Sequence, residues 1–216
     1  MRGMLLLPLL WTITNDDALK AMLGDDGWLD VGTSEQSFGT VTSRHKPLDG
    51  LDCLEARATT SLSEEVMKEV ILDIEGNLDW SSADLVVSEV LGRKNGAVDY
   101  VQVLDIPAPM SDRYWVLRGH VKTDAEGWHF IWQRIEGGDY PRVAELLTPY
   151  DDLVEIATNV GSWTLSPTDD GQTQARFRSC NDVGGNIPRW AGEKAARALL
   201  PNNITDLFDE TAKRGG

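Results

Sequence analysis

The chain of 216 residues lacks the short motifs that mark most well-defined classes of enzyme. It contains no Gly-x-Ser-x-Gly elbow, no glycine-rich phosphate-binding loop, no His-Glu-x-x-His helix and no Cys-x-x-Cys pair. Its three histidines, His45, His120 and His129, do not have the spacing of a metal site, so neither a metal nor a cofactor is predicted. These absences argue against serine-hydrolase, nucleotide-dependent and zinc-dependent chemistry.

Long apolar runs and positive charge are also scarce. No stretch approaches the roughly 20 apolar residues that span a bilayer. With 35 acidic residues against 20 basic ones, the net charge of −15 disfavours binding to nucleic acid and to anionic membrane surfaces. Arg189, Lys194 and Arg197 form a local basic group, and because acidic residues lie close by in the sequence we interpret it as a solvated helix face.

Cysteine is limited to Cys53 and Cys180, which excludes a disulfide-rich scaffold. Both residues lie in strand-like segments that are far apart in the sequence. A single disulfide between them is one alternative, but two buried free thiols are the simpler expectation.

The N-terminal segment, residues 1–24, has two interpretations. A positive start followed by the apolar run of residues 4–11 has the outline of a secretory signal, although the run is short and no Ala-x-Ala cleavage site follows. Residues 15–19 instead have the pattern of a helix start, which predicts a short helix over residues 16–23 packed on the domain. The protein is accordingly expected to be cytoplasmic or, if the signal is real, periplasmic or secreted.

The remaining residues, 25–216, form one domain without an internal repeat. Strand-like segments alternate with turn clusters, as in an antiparallel meander, at residues 36–46, 51–59, 84–91, 97–106, 114–122, 128–135, 153–165 and 174–180. After the second of these, a capping box that begins at Ser61 and apolar residues at helical spacing predict an amphipathic helix ending near Gly76. The predicted fold class is therefore α+β.

A long last helix is predicted over residues 188–213. Pro188 suits its first turn, whereas Pro201 occupies an interior position that favours a kink. The apolar face that would pack on the sheet is predicted to contain Trp190, Ala195, Ala198, Leu199, Ile204, Leu207 and Phe208.

Three segments, in this order along the chain, resemble the START family of lipid-transfer domains. The first is the helix beginning at residues 62–66 and leading to Asp79-Trp80. The second runs from residues 99–101 through residues 106–118, where a proline-containing turn leads into a strand with Tyr114 in place of the usual acid. The third is Gly-Ser-Trp-Thr-Leu at residues 161–165 followed by Gly-Gly-Asn-Ile-Pro-Arg-Trp at residues 184–190. The similarity covers residues 28–213.

This resemblance implies a helix-grip, Bet v 1-like fold, in which a curved antiparallel sheet grips the C-terminal helix around an internal apolar cavity. It implies a monomer that binds and transfers a lipid, sterol or other hydrophobic molecule, with transient membrane contact. The C-terminal helix would be the lid, with hinges at Gly184-Gly185 and Pro201. Two alternatives stay open, namely a polyketide cyclase or aromatase-like enzyme on the same fold and an interaction module whose cavity is filled by side chains.

The candidate site follows from alternation along the strand of residues 114–121. One face carries Tyr114, Val116, Arg118 and His120, and the resemblance implies that this face points inward. There a ligand headgroup or backbone carbonyls would satisfy the Arg118 guanidinium, and His120 with Tyr100 would supply proton transfer in the cyclase alternative. The predicted ligand-binding residues are Arg118, Tyr100, Gln102, Val116, His120, Trp163, Trp190 and Leu199; no catalytic residue and no metal ligand is assigned.

Overall fold

The computed structural model describes residues 13–48, 50–182, 184–185 and 187–215. The apolar run of residues 4–11, on which the secretory-signal interpretation depends, lies outside the described residues. The helices are α1 (Asn15–Leu23), α2 (Glu64–Leu72), α3 (Asn77–Trp80), α4 (Pro141–Leu147) and α5 (Arg189–Gly215). The strands are β1 (Leu29–Gln36), β2 (Gly39–Leu48), β3 (Leu51–Thr60), β4 (Leu85–Lys94), β5 (Ala97–Leu104), β6 (Arg113–Asp124), β7 (Gly127–Arg134), β8 (Val154–Glu155), β9 (Asn159–Pro167) and β10 (Thr173–Asn181).

The strands form one sheet in the order β1-β2-β3-β10-β9-β7-β6-β5-β4, and the two-residue β8 pairs with β6. All neighbours along this path are antiparallel, and only β8 is parallel to its partner. The last strand, β10, lies between β3 and β9, so it joins the N-terminal strands β1–β3 to the rest of the sheet. With the long α5 packed against it, this arrangement confirms the α+β, helix-grip prediction.

The inner face of the sheet carries the largest apolar core, against which α2 and α5 pack. Period-two alternation directs Tyr100, Leu117 and Phe130 to this face. The helices contribute Met67, Val70, Ile71 and Ile74 from α2 and the residues just after it, and Leu200, Ile204, Leu207 and Phe208 from α5. Helix α2 begins at Glu64 because the Ser63 hydroxyl caps it, two residues after the Ser61 that the sequence pattern indicated.

The outer face of the sheet is covered by α1 and α4. Helix α1 packs Ala18 and Met22 on the sheet, which confirms the short helix predicted over residues 16–23. Its C-terminal end is held by the Lys46 ammonium, which donates to the carbonyl oxygens of Ala21 at 2.6 Å and Gly24 at 3.0 Å. A cation at this end of a helix is favoured by the helix dipole, so α1 is fixed electrostatically as well as by packing.

A buried ion network joins β2, β3 and β10 beneath the end of α1. The Glu55 carboxylate is fully buried and accepts from Arg178 Nε and Arg44 Nε, each at 2.7 Å. Arg178 also donates to Asp25 at 3.0 Å, and its guanidinium lies 4.8 Å from the centre of the Trp28 ring. Each charge of this network has an oppositely charged partner. The outer face can therefore bury these charges, whereas burial of one of them alone would be too costly.

Several elements differ from their prediction. Strand β1 was not predicted, since its side chains are mostly exposed and a bulge between Asp30 and Gly32 interrupts the alternation. Helix α4 was also missed, because it has only seven residues and buries one side chain, Val143. The strand predicted over residues 153–165 is divided into β8 and β9.

The expectation of two free thiols is wrong, because the structure joins Cys53 and Cys180 in a disulfide. The two residues are directly opposite each other in the β3–β10 register, with their Cα atoms 4.2 Å apart. Both are fully buried on the outer face beneath α1. The local sequence pattern could not reveal that β3 and β10, which are far apart in the sequence, are neighbours in the sheet.

Candidate ligand-binding site

Aromatic side chains fill part of the interior between the sheet and α5, among aliphatic ones. The rings of Trp163 and Phe177 lie 4.9 Å apart, and those of Phe38 and Phe208 lie 4.8 Å apart, close to perpendicular. Aromatic pairs at these separations add to the stabilisation from burial alone. The predicted site residue Trp163 therefore lies in the interior, within a packed aromatic cluster.

A pocket of about 310 Å³ opens at one end of this interior. Its inner wall includes Val98 and Phe130 of the sheet and Leu72 at the end of α2, and its rim includes His120 and the β4–β5 turn. Gly119 shapes the wall, because a Cβ at this position would lie 2.3 Å from Phe130 Cζ. The ring of Phe130 thus occupies the space that a side chain at Gly119 would need. The volume lies at the lower end of the range for small-molecule sites.

The polar groups on this inner face already satisfy one another. Gln102 donates from Nε2 to Ser88 Oγ at 3.0 Å, and its Oε1 accepts from Trp115 Nε1 at 3.0 Å. The Ser88 hydroxyl donates in turn to the Ile74 carbonyl at 2.6 Å. Nearby, burial raises the pKa of Tyr100 above its usual range, so its hydroxyl stays neutral. Tyr100 and Gln102 are therefore interior groups, and both are uncharged.

Helix α5 has two differently packed halves. Its second half is fixed in the core by Leu200, Ile204, Leu207 and Phe208, and it is further tied by ion pairs and hydrogen bonds. Arg214 lies 2.8 Å from Asp73, and Asp206 accepts from the Ser82 hydroxyl at 2.8 Å. In residues 190–199, by contrast, Gly192 alone is fully buried. The first half of α5 therefore covers the interior while contributing little to it.

A polar contact of Arg197 ties this first half to the sheet. Arg197 donates from Nη2 to Asp52 Oδ2 at 2.5 Å and from Nε to the same oxygen at 3.0 Å. His45 Nδ1 lies 2.9 Å from Asp52 Oδ1 and 3.0 Å from Arg197 Nη2. The Asp52 side chain is only 5% exposed, so this carboxylate depends on its partners. We call Arg197, Asp52 and His45 the latch.

The prediction that Arg118 faces inward is wrong. Arg118 lies on the outer face with half of its side chain exposed, and it forms a bidentate ion pair with Asp99 at 2.6 and 2.7 Å. Asp99 is directly opposite in the β5–β6 register and also accepts from the Tyr140 hydroxyl. The hydrogen bond from Arg118 keeps the pKa of Asp99 below its ordinary value, reinforced by Tyr140.

The same reversal applies to the rest of that strand face. Val116 is buried on the outer face, packed with Val101 and with Val143 of α4. His120 is exposed and reaches only the rim of the 310 Å³ pocket. Trp115, Leu117 and Gly119 are the residues of β6 that face inward. Successive side chains of a strand point to opposite faces of the sheet. A wrong choice of the inward face for one residue therefore places every residue of that strand on the wrong face.

The apolar face predicted for the first half of α5 is also wrong. Trp190 is 71% exposed and Leu199 is 55% exposed, so neither lines the interior. Ala195 and Ala198 are exposed as well, whereas Ala196 and Leu200 pack on the core. The prediction for Ile204, Leu207 and Phe208 is confirmed.

Sequence reasoning missed the latch and the ring of Phe130. The sequence contained a partial signal for the latch. In β3, Asp52 lies on the same face as Leu54 and Ala56, which are apolar. A charged residue in such an apolar row requires a partner. Nothing in the local pattern identifies Arg197, which is 145 residues away in the sequence.

Comparison with known proteins identifies the architecture. No protein-family model and no curated protein matches this sequence. Among solved structures, a STAR-related lipid transfer protein from Xanthomonas axonopodis superposes with a TM-score of 0.69, covering 87% of this chain and 99% of its own at 19% identity. Human StAR-related lipid transfer protein 5 superposes with a TM-score of 0.73, covering 93% of this chain and 94% of its own at 14% identity. This chain has the fold of START domains.

The START fold also occurs in an enzyme among the similar structures. The Zhui aromatase/cyclase from Streptomyces superposes with a TM-score of 0.54, covering 77% of this chain and 96% of its own at 16% identity. Among the described residues, no cluster of three His, Cys, Asp or Glu side chains is arranged to hold a metal ion. No helix in the described part of the chain is long and apolar enough to cross a membrane.

Proposed function

We propose that this protein binds a hydrophobic molecule of the lipid or sterol class between the sheet and α5, and transfers it between membranes. The observation that carries the proposal is the uneven packing of α5. Its second half is fixed in the core, whereas its first half covers an aromatic interior and is tied down by the latch. Such a segment can lift at small cost, since few buried apolar contacts are lost.

The 310 Å³ pocket is the proposed point of entry. Lifting the first half of α5 would let the aromatic rings turn aside and join this pocket to the interior. Each buried ligand CH₂ then contributes about 0.8 kcal/mol, so affinity does not require many polar contacts. Pro201, which lacks an amide hydrogen, and Gly184-Gly185, both with positive φ, are the proposed hinges on either side of the lifting segment.

The interior chemistry favours a ligand without a charged headgroup. With Arg118 on the outer face, the polar groups that line the interior away from the latch are neutral, namely the Gln102 amide and the hydroxyls of Ser88 and Tyr100. A hydroxyl or carbonyl can exchange hydrogen bonds with these groups, whereas a carboxylate would be buried without a cation. The net charge of −15 likewise favours donor and acceptor membranes that are neutral.

Lipid transport is preferred to cyclase chemistry because the required groups are separated. The cyclase alternative needs His120 and Tyr100 on one wall, but Tyr100 is buried on the inner face and His120 is exposed at the rim. A closed empty carrier and an interaction module whose cavity is filled by side chains would both have this aromatic interior. The lipid-uptake experiment below distinguishes them.

The test is native mass spectrometry of the purified protein, followed by incubation with phosphatidylcholine vesicles containing cholesterol and oleic acid. We expect a stoichiometric bound lipid. Gly119→Leu should abolish uptake, because its side chain would compete with Phe130 for the pocket wall. Gly138→Leu is the matched control, since a Cβ there meets nothing within 4 Å. A wild-type protein that is empty and takes up neither lipid would contradict the proposal.

A further inference from the structure

A second site can be argued on the outer face of the sheet, independently of the proposed lipid-binding interior. The registers of β6, β7, β9, β10 and β3 align one row of side chains across the sheet: Lys122, His129, Thr164, Arg176 and Arg57. Four of these five residues are basic, in a protein whose net charge is −15. The row is therefore a local concentration of positive charge and hydrogen-bond donors.

A pocket of about 150 Å³ lies over this row, beyond the C-terminal end of α1. Its floor consists of His129, Ser162 and Thr164, which are 6%, 1% and 2% exposed. Arg176 and Lys122 line it from opposite sides, and the carboxylates of Asp124 and Glu126 also line it. The volume is several times what one water molecule needs, so a small polar solute can enter.

The histidine is positioned by hydrogen bonds at both ring nitrogens. His129 Nε2 lies 2.9 Å from Asp124 Oδ1, and Nδ1 lies 3.0 Å from Thr164 Oγ1. Asp124 is itself paired with Lys122 at 2.7 Å. These contacts hold the Thr164 hydroxyl in a fixed place on the floor of the pocket, so the site is built before any ligand arrives.

Arg176 is only partly satisfied by its neighbours. Within the described residues, its Nε is buried and has no hydrogen-bond acceptor. Its terminal nitrogens have only loose carboxylate neighbours, Glu126 at 3.5 Å and Asp25 at 4.0 Å, and both carboxylates are mostly exposed. Burial, together with the adjacent Arg178 guanidinium, lowers the pKa of Arg176 from its ordinary value. A buried guanidinium N–H without an acceptor is costly, and a bound anion could accept from it.

We propose that this pocket binds a small oxyanion, such as a phosphate group, through Arg176, Thr164 and Ser162. Arg176 would turn to face the anion, and the Ser162 hydroxyl would donate from the floor. The Thr164 hydroxyl would donate as well when both ring nitrogens of His129 carry a hydrogen, because Nδ1 then donates to Thr164 Oγ1 while Nε2 donates to Asp124. A guanidinium forks onto two oxygens of phosphate, which suits this arrangement better than a halide does. The group can belong to a free anion or to a lipid headgroup, since the chemistry presented to Arg176 is the same.

The first test is calorimetric titration of the full chain with sodium phosphate at constant ionic strength. We expect saturable binding with a stoichiometry of one, weakened about tenfold or more by Arg176→Gln and roughly threefold to tenfold by Thr164→Val. Arg57→Gln is the matched control, because Arg57 belongs to the same row but does not line the pocket. Circular dichroism would verify that each variant is folded.

A second measurement needs no variant. Phenylglyoxal labels accessible arginines, and bound phosphate should slow labelling of Arg176 while leaving Arg57 unaffected. Pelleting with phosphatidylcholine vesicles, with and without phosphatidic acid, separates the two sources of phosphate: retention that requires phosphatidic acid and Arg176 assigns a headgroup, and its absence assigns a free anion. The proposal is overturned if phosphate acts no differently from chloride, or if Arg176→Gln and the wild type bind it equally.

Discussion

Replacing Arg197 by glutamine should release the first half of α5 without unfolding the domain. The substitution removes two hydrogen bonds to the buried Asp52 carboxylate but leaves the contact between His45 and Asp52. Hydrogen bonds to charged groups contribute about 1.5–3 kcal/mol, and because the Arg197 side chain is 36% exposed, solvent reduces this to about 1–2 kcal/mol. The opening equilibrium should therefore shift by about 5-fold to 30-fold.

Hydrogen exchange measured by mass spectrometry tests this prediction without knowledge of the ligand. Amides of residues 190–199 should lose protection by the factor given above, while those of residues 204–213 keep theirs. Arg214→Gln is the matched control, because it removes an ion pair from the fixed half of the same helix. Unchanged protection at residues 190–199, or equal loss in both halves, would refute the idea that the latch alone holds a separable segment.

Three further predictions concern stability. By intact mass spectrometry, the non-reduced protein should be lighter than the reduced protein by two hydrogens. The double variant Cys53→Ser, Cys180→Ser should have a free energy of unfolding in urea that is lower by about 2–4 kcal/mol. Two titratable thiols in the native protein would be inconsistent with the structure. Glu55→Gln should lower the free energy of unfolding by about 3–5 kcal/mol, because it removes the buried carboxylate shared by Arg178 and Arg44 and leaves Arg178 only the exposed Asp25 as a charged partner. Glu35→Gln on the exposed β1 edge should lower it by less than about 1 kcal/mol. Since Arg118 lowers the pKa of Asp99, this carboxylate stabilises the fold above its ordinary pKa of 3.8 and the contribution is lost as pH falls; the stability difference between wild type and Asp99→Asn should shrink between about pH 5 and pH 2.

Much of the fold could be predicted because its signals are local. The amphipathic α2, the meander of β4 to β7 and the buried positions of the second half of α5 follow from periodicity and turn chemistry. Elements with few buried residues gave weak signals, and for that reason the edge strand β1 and the short α4 were not found. The pairing of Cys53 with Cys180 needed the β3–β10 register, which no local pattern contains.

The site was harder to predict because it depends on which face of a strand points inward. Along β6 both faces carry large apolar residues, Val116 on one and Leu117 on the other, so hydrophobicity does not decide the parity. The outer face needs apolar residues there because α4 covers it. A helix that the sequence did not reveal is thus the physical reason that Arg118 was assigned to the wrong side.

The two faces of the sheet separate two kinds of chemistry. The charged groups of β3 and β10 that are fully buried, Glu55 and Arg178, lie on the outer face, where they are paired and help to hold α1. The inner face is largely apolar, with aliphatic and aromatic side chains, and it also carries a neutral hydrogen-bonded chain at one position and the latch at another. Since a buried charge without a partner is far more costly than a buried neutral group, the charges that stabilise this fold can be kept away from the space proposed for a hydrophobic ligand. The latch is the exception on the inner face, and because Arg197 belongs to α5 while Asp52 and His45 belong to the sheet, lifting the helix would separate the ion pair and expose both charges to water.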